Sequence, residues 1–69
     1  MELMSASHVL SLVYESTDDD GDTFRLERAL WDNGRVTYVA STVDTFGQSA
    51  FIGLSELQAV ELAQAILST

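Results

Sequence analysis

The chain has no cysteine, no proline and no lysine, and only one histidine. Without cysteine there is no disulfide framework and no thiol nucleophile. Structural zinc is excluded in the same way, because such sites take four Cys or His ligands and His8 stands alone. Lacking lysine, the chain sets three arginines against eleven acidic residues, a formal charge of −8 at pH 7. A protein that binds nucleic acid by neutralising phosphates needs the opposite balance. No stretch approaches the roughly 18 apolar residues of a membrane-spanning helix. The opening segment MELMSASHVL has no basic residue, and Ser and His break its apolar positions, unlike a signal or transit peptide. The expectation is a cytoplasmic protein of a bacterium or an infected host cell, with no membrane partner, no direct nucleic-acid partner and no cofactor.

What is present is apolar: 46% of the 69 residues, an ordinary fraction for a folded domain. A single domain spanning residues 1–69 follows from the length. A chain this short buries only about 60% of the surface its unfolded form exposes, so its stability margin is thin. Small domains escape this through disulfides, metals or self-association, and the composition leaves the third. A homodimer is therefore expected.

Alternation of apolar side chains places a first strand over residues 8–15, with Leu10, Leu12 and Tyr14 on one side and Val9, Ser11 and Val13 on the other. Residues 16–23, STDDDGDT, hold four Asp and one Gly and no apolar side chain, which is turn chemistry. A second strand is expected from about Phe24 to Trp31 and a third from about Arg35 to Val43. Their register follows from the link between them. A two-residue Asn33-Gly34 turn would mix apolar and charged residues on both faces. A three-residue loop Asp32-Asn33-Gly34, with Gly34 left-handed, sets Leu30 against Val36, Arg28 against Tyr38 and Leu26 against Ala40, which separates apolar from polar. The second register is the one predicted.

A turn over residues 44–47 leads to a fourth strand from about Gln48 to Gly53. Ser55 and Gln58 have the spacing of a capping box, with Glu56 in the first turn where the helix dipole favours negative charge. The helix should run from Glu56 to about Leu67, with Ser68 and Thr69 frayed. Ala59, Val60, Leu62, Ala63, Ile66 and Leu67 span a wide apolar arc on it. The predicted fold is α+β, a four-stranded antiparallel β-meander with the C-terminal α-helix packed on its Leu10, Leu12, Phe24, Leu26 face. No internal repeat is evident.

Catalytic chemistry has little to work with. His8 is the only imidazole, and paired carboxylates such as Asp18 and Asp20 need a cleft that drives their proton affinities apart. The chain is not expected to be an enzyme. The acidic loop offers one other reading. Aligning Gly21 with the glycine of an EF-hand calcium loop brings Asp18, Asp20 and Asp22 to ligand positions and Glu27 to the last one, but Ser16 stands where the first Asp belongs. EF-hand loops also join helices, and this one joins strands, so a solvated hairpin loop is preferred and no metal site is assigned.

The uncovered face of the sheet should carry Val9, Val13, Ala29, Trp31, Val39, Val43 and Phe51. Trp31, Val13, Val39 and Phe51 are predicted to form one patch for protein contact, with Leu62 and Ile66 on the helix as an alternative. Arg28 is expected to stack on Tyr38 and reach Glu56 or Glu61. Glu15, Asp18, Asp19, Asp20 and Asp22 make an acidic surface. Together these give the expected function: a small acidic protein-interaction module, a homodimeric accessory or inhibitory factor. In its sharper form it is an anti-defence protein of phage type that imitates the phosphates of DNA in the cleft of a nucleic-acid-binding enzyme. The alternatives are a structural subunit of a larger assembly and calcium binding through the Asp-rich loop.

Overall fold

The computed structural model describes residues 7–69. Residues 1–6, on which most of the leader reading rests, lie outside the described residues. Strands β1 (His8–Thr17), β2 (Thr23–Trp31), β3 (Val36–Val43) and β4 (Ser49–Ser55) form one antiparallel sheet in chain order and lead into helix α1 (Glu56–Leu67). This is the ββββα arrangement expected. The first strand reaches two residues and the second one residue further into the acidic loop than predicted, and Thr17 and Thr23 face each other there with their hydroxyls 3.0 Å apart.

The predicted register between β2 and β3 is observed: Leu30 opposes Val36, Arg28 opposes Tyr38 and Leu26 opposes Ala40. Gly34 closes the loop at φ 87°, with its N–H bonded to the Trp31 carbonyl. Both other hairpins use the same device. Gly21 donates to the Asp18 carbonyl and Gly47 to that of Asp44, each glycine again left-handed. The three glycines stand 13 residues apart, so a strand and a three-residue turn do repeat along the chain. The repeat is one of backbone geometry, and comparison of side chains passes over it.

One register differs from expectation. β1 pairs regularly from Thr17 to Tyr14, then slips by one residue at a β-bulge around Val13. Beyond it Leu12 opposes Glu27, Leu10 opposes Ala29 and His8 opposes Trp31. Directly opposed residues share a face. Leu10 and Leu12 therefore lie on the Ala29, Trp31 side, Tyr14 lies with Leu26, and Val9 and Ser11 have moved to the Leu30, Arg28 side. The expected Leu10, Leu12, Phe24, Leu26 face does not exist. Without the bulge, Ser11 would stand across from Ala29 and Leu12 across from Arg28. With it, leucine meets alanine and serine meets arginine, and Ala29 is 1% exposed, the one buried apolar residue among those described.

Helix α1 begins as predicted. The Gln58 N–H donates to Ser55 Oγ at 3.1 Å and the Ser55 N–H to Gln58 Oε1 at 2.9 Å, a complete capping box. Its last turn is held by side chains rather than frayed, with Ser68 Oγ donating to the Ala65 carbonyl and Thr69 Oγ1 to that of Ile66. The helix touches β3 and β4, and none of its residues is buried. The molecule is accordingly a slab of 48 × 34 × 15 Å with a radius of gyration of 14.5 Å. A compact chain of this length would have about 11 Å.

Candidate functional site

Two features stand out from this slab, an acidic end and a large apolar surface. The acidic end is built by the hairpin loops. Asp18 Oδ1 accepts from the N–H groups of Asp20 at 2.9 Å and Asp22 at 3.0 Å. Asp44 Oδ1 repeats this with Phe46 and Gln48, both at 2.9 Å. Each aspartate is thus the residue that folds its own turn. Antiparallel order puts the β1–β2 and β3–β4 loops at the same end of the sheet, and Thr45 lies against Gly21 so closely that a Cβ there would come within 2.7 Å of Thr45 Cγ2. Asp22 and Asp44 line a common open depression of about 370 Å³ with Thr42, Gln48, Ser49 and Ala50.

Asp44 is the member of this group that the sequence reading missed. Its spacing of four from Gln48, matching Asp18 and Asp22, was the available signal. Glu15 stands apart from the free carboxylates, because Arg25 lies opposite it on β2 and donates through Nε at 2.8 Å. That hydrogen bond, together with the charge of Glu15, raises the Arg25 pKa above its ordinary value. This is the one ion pair among the described residues, and Arg28 does not reach Glu56 or Glu61. Asp18 turns its Oδ1 toward backbone donors. Among the described residues no group of three or more acidic or histidine side chains is arranged to hold a metal ion.

The apolar surface differs from the predicted patch. Trp31 and Val39 share a face and are half-buried, while Phe51 on that same face is 79% exposed. Trp31 packs its ring 4.3 Å from that of His8 and donates through Nε1 to Thr37 Oγ1 at 2.9 Å, so its indole is already partnered. Phe51 opposes Ser41, six residues along β3 from the Arg35 level of Trp31, which is about 20 Å at strand rise. Thr37 and Val39 of β3 lie between their levels on this face, with Glu27 and Arg25 beside Val39 and Ser41 on β2. Val13 is exposed in the bulge at the far edge. The four residues therefore do not make one patch.

The opposite face is the more apolar. Tyr14, Leu26, Ala40 and Ile52 run across all four strands in one row, flanked by Phe24, Leu30 and Val36, with Arg28 its only charge. Ile52 on this face, Phe51 on the other, and Leu57, Val60, Leu62, Ile66 and Leu67 of α1 are all open to solvent. Leu62 and Ile66 thus lie where the wide helical arc implied. The chain exposes 5619 Å² in total. A compact monomer of 7.5 kDa exposes about 4,200 Å². The excess is about 1,400 Å².

No helix of the described residues is long and apolar enough to cross a membrane. Compared with protein-family models, curated proteins and solved structures, the chain matches none.

Proposed function

We propose that this chain is a small acidic protein-interaction module without catalytic activity, an accessory or inhibitory factor that works as a homodimer. The observation that carries this reading is the uncovered apolar surface. A sheet and helix with one buried apolar residue, Ala29, do not bury enough to offset the conformational entropy of ordering the chain. A second copy supplies the missing cover. The acidic end, with Asp18, Asp19, Asp20, Asp22 and Asp44 in two adjoining loops, is then free to meet a basic protein surface, such as the cleft of a nucleic-acid-binding enzyme. Its short extent supports docking at one point more than imitation of a long phosphate stripe.

Light scattering tests the first part: a mass of about twice 7.5 kDa at micromolar concentration is expected. A monomer at millimolar concentration overturns it. Among the described residues β1 and β4 each pair on one side only, which favours a second reading as a subunit of a larger assembly. Open-ended polymers instead of a discrete dimer would select that reading. For the acidic end, affinity for a captured partner should fall steeply between 50 and 500 mM salt, roughly the range in which screening acts. A flat response removes the charge from the mechanism.

A further inference from the structure

The self-association proposed above leaves open which surface is used, and the two edges of the sheet answer differently. On β4, the Asp44 N–H bonds the Gln48 carbonyl, which fixes the alternation along the hairpin. Ala50, Ile52 and Leu54 turn their main-chain groups toward β3, so Ser49, Phe51 and Gly53 turn theirs to the open side. Natural edges are guarded by charge, proline or a bulge. β4, with the sequence SAFIGLS, has no charge and no proline, and it pairs with β3 without a bulge.

Gly53 is the second observation. A glycine inside a strand weakens it, and commonly marks a place where another backbone or side chain comes close. Nothing among the described residues requires it. A Cβ added there would meet nothing nearer than the Tyr38 carbonyl oxygen at 4.0 Å, and its φ is not in the left-handed region.

We propose that β4 pairs antiparallel with β4 of a second copy about a two-fold axis at Ile52, joining two sheets into one of eight strands. This register overlaps the whole of β4, because Ile52 is the middle residue of Ser49–Ser55. It also respects the alternation. Ile52 meets its symmetry mate as a non-hydrogen-bonded pair, and Phe51 exchanges both main-chain hydrogen bonds with Gly53 of the second copy. Size then matches across the joint: the Phe51 ring lies over a glycine, and Ala50 faces Leu54 of the second copy. The exposed apolar residues of α1, which follows β4 directly, are carried to the same joint. Pairing and helix cover both fall on exposed apolar residues of β4 and α1.

The absence of native cysteine makes the test clean. Opposed non-hydrogen-bonded residues bring their Cβ atoms close enough for a disulfide. Under mild oxidation Ile52→Cys should form a covalent dimer almost completely, while Ser11→Cys on β1 should not. Ile52 is 62% exposed in the single chain, so the substitution spares the fold. In parallel, Ile52→Lys sets two like charges against each other at the axis and should raise the dimer Kd roughly 100-fold or more. A dimer by light scattering that cross-links through Ser11→Cys, or through neither variant, overturns this joint and leaves self-association standing. A monomer at millimolar concentration overturns both.

Discussion

The two edges of the sheet solve the same problem in opposite ways. β1 carries a bulge at Val13 and an ion pair between Glu15 and Arg25, and its leucines cover Ala29. β4 is straight, uncharged and mostly exposed, and it opens into a helix that buries no residue. The difference teaches where the folding energy of a very small chain is placed. One edge is spent on the chain's own slight core and guarded by a bulge and a charge pair. The other keeps its apolar residues and main-chain groups free, and in our proposal a second copy completes it.

The largest expected effect tests the closed half. Ala29→Asp introduces an unpaired charge at the one buried apolar position, at a cost of about 3 kcal/mol or more. For a domain this small that is most of the available stability, and circular dichroism should show an unfolded chain at every concentration. Ile52→Lys on the open half should behave otherwise, with any loss of structure recovered as concentration rises, since its defect lies in association. If concentration rescues both variants or neither, the two halves do not differ in this way.

Next in size is deletion of Val13. It takes out the extra residue, so Leu12 still pairs with Glu27 and Leu10 with Ala29, and no residue of β1 changes face. Only the local twist of the bulge is lost, and destabilisation of about 1 kcal/mol is expected in urea unfolding. The deletion also removes an edge guard, so aggregation should increase at β1. An unchanged midpoint would mean that the bulge has no role in packing.

These two edges also mark what the sequence made legible. The β2–β3 register was readable because one loop length sorted Leu26, Leu30, Val36, Tyr38 and Ala40 from Arg25, Glu27 and Ser41, and the other did not. The helix start was readable because Ser55 and Gln58 satisfy local main-chain groups, a short-range effect. On β1 the same logic failed. Val9, Leu10, Leu12 and Val13 are apolar on both sides of the strand, so either register looks acceptable from the residues alone. The bulge is decided by Ala29 and Arg28 on the neighbouring strand. Asp44 joined the acidic end for a similar reason, since only the hairpin order brings it beside Asp22. The expected Trp31, Val13, Val39, Phe51 patch was split by distance along the strands, which a face assignment does not measure.

A smaller effect separates the aspartates of the acidic end, which charge alone treats as equivalent. Asp18→Ala removes an acceptor of two main-chain N–H groups and should lower stability by about 1 kcal/mol, as should Asp44→Ala. Asp19 lies in the first of these turns but its side chain accepts no main-chain hydrogen bond there, so Asp19→Ala should stay within about 0.5 kcal/mol, on the stabilising side because it relieves repulsion. Equal melting temperatures for Asp18→Ala and Asp19→Ala would show that these turns do not depend on their aspartates. Calcium should shift none of them.

The smallest expected effect concerns salt, and it distinguishes the acidic end from the β4 joint. The net charge of −8 gathers in part at Asp18, Asp19, Asp20, Asp22 and Asp44, and among the described residues the Arg25–Glu15 pair is the one ion pair set against it. Raising salt from about 20 to 500 mM shortens the screening length from roughly 20 Å to 4 Å. Repulsion between loops is then screened, whereas hydrogen-bonded and apolar contacts are nearly untouched. At fixed protein concentration Tm should therefore rise by about 1–4 °C, the equivalent of several tenths of a kcal/mol in a domain of this size. Neutralising Asp19 and Asp20 together should abolish most of that rise. The dimer Kd, set by an uncharged strand, should change less than the Tm shift implies, and if anything tighten as the two negatively charged copies repel less. A dimer that dissociates as salt increases would instead place charged groups at the joint, which neither Phe51, Ile52 nor Gly53 can supply.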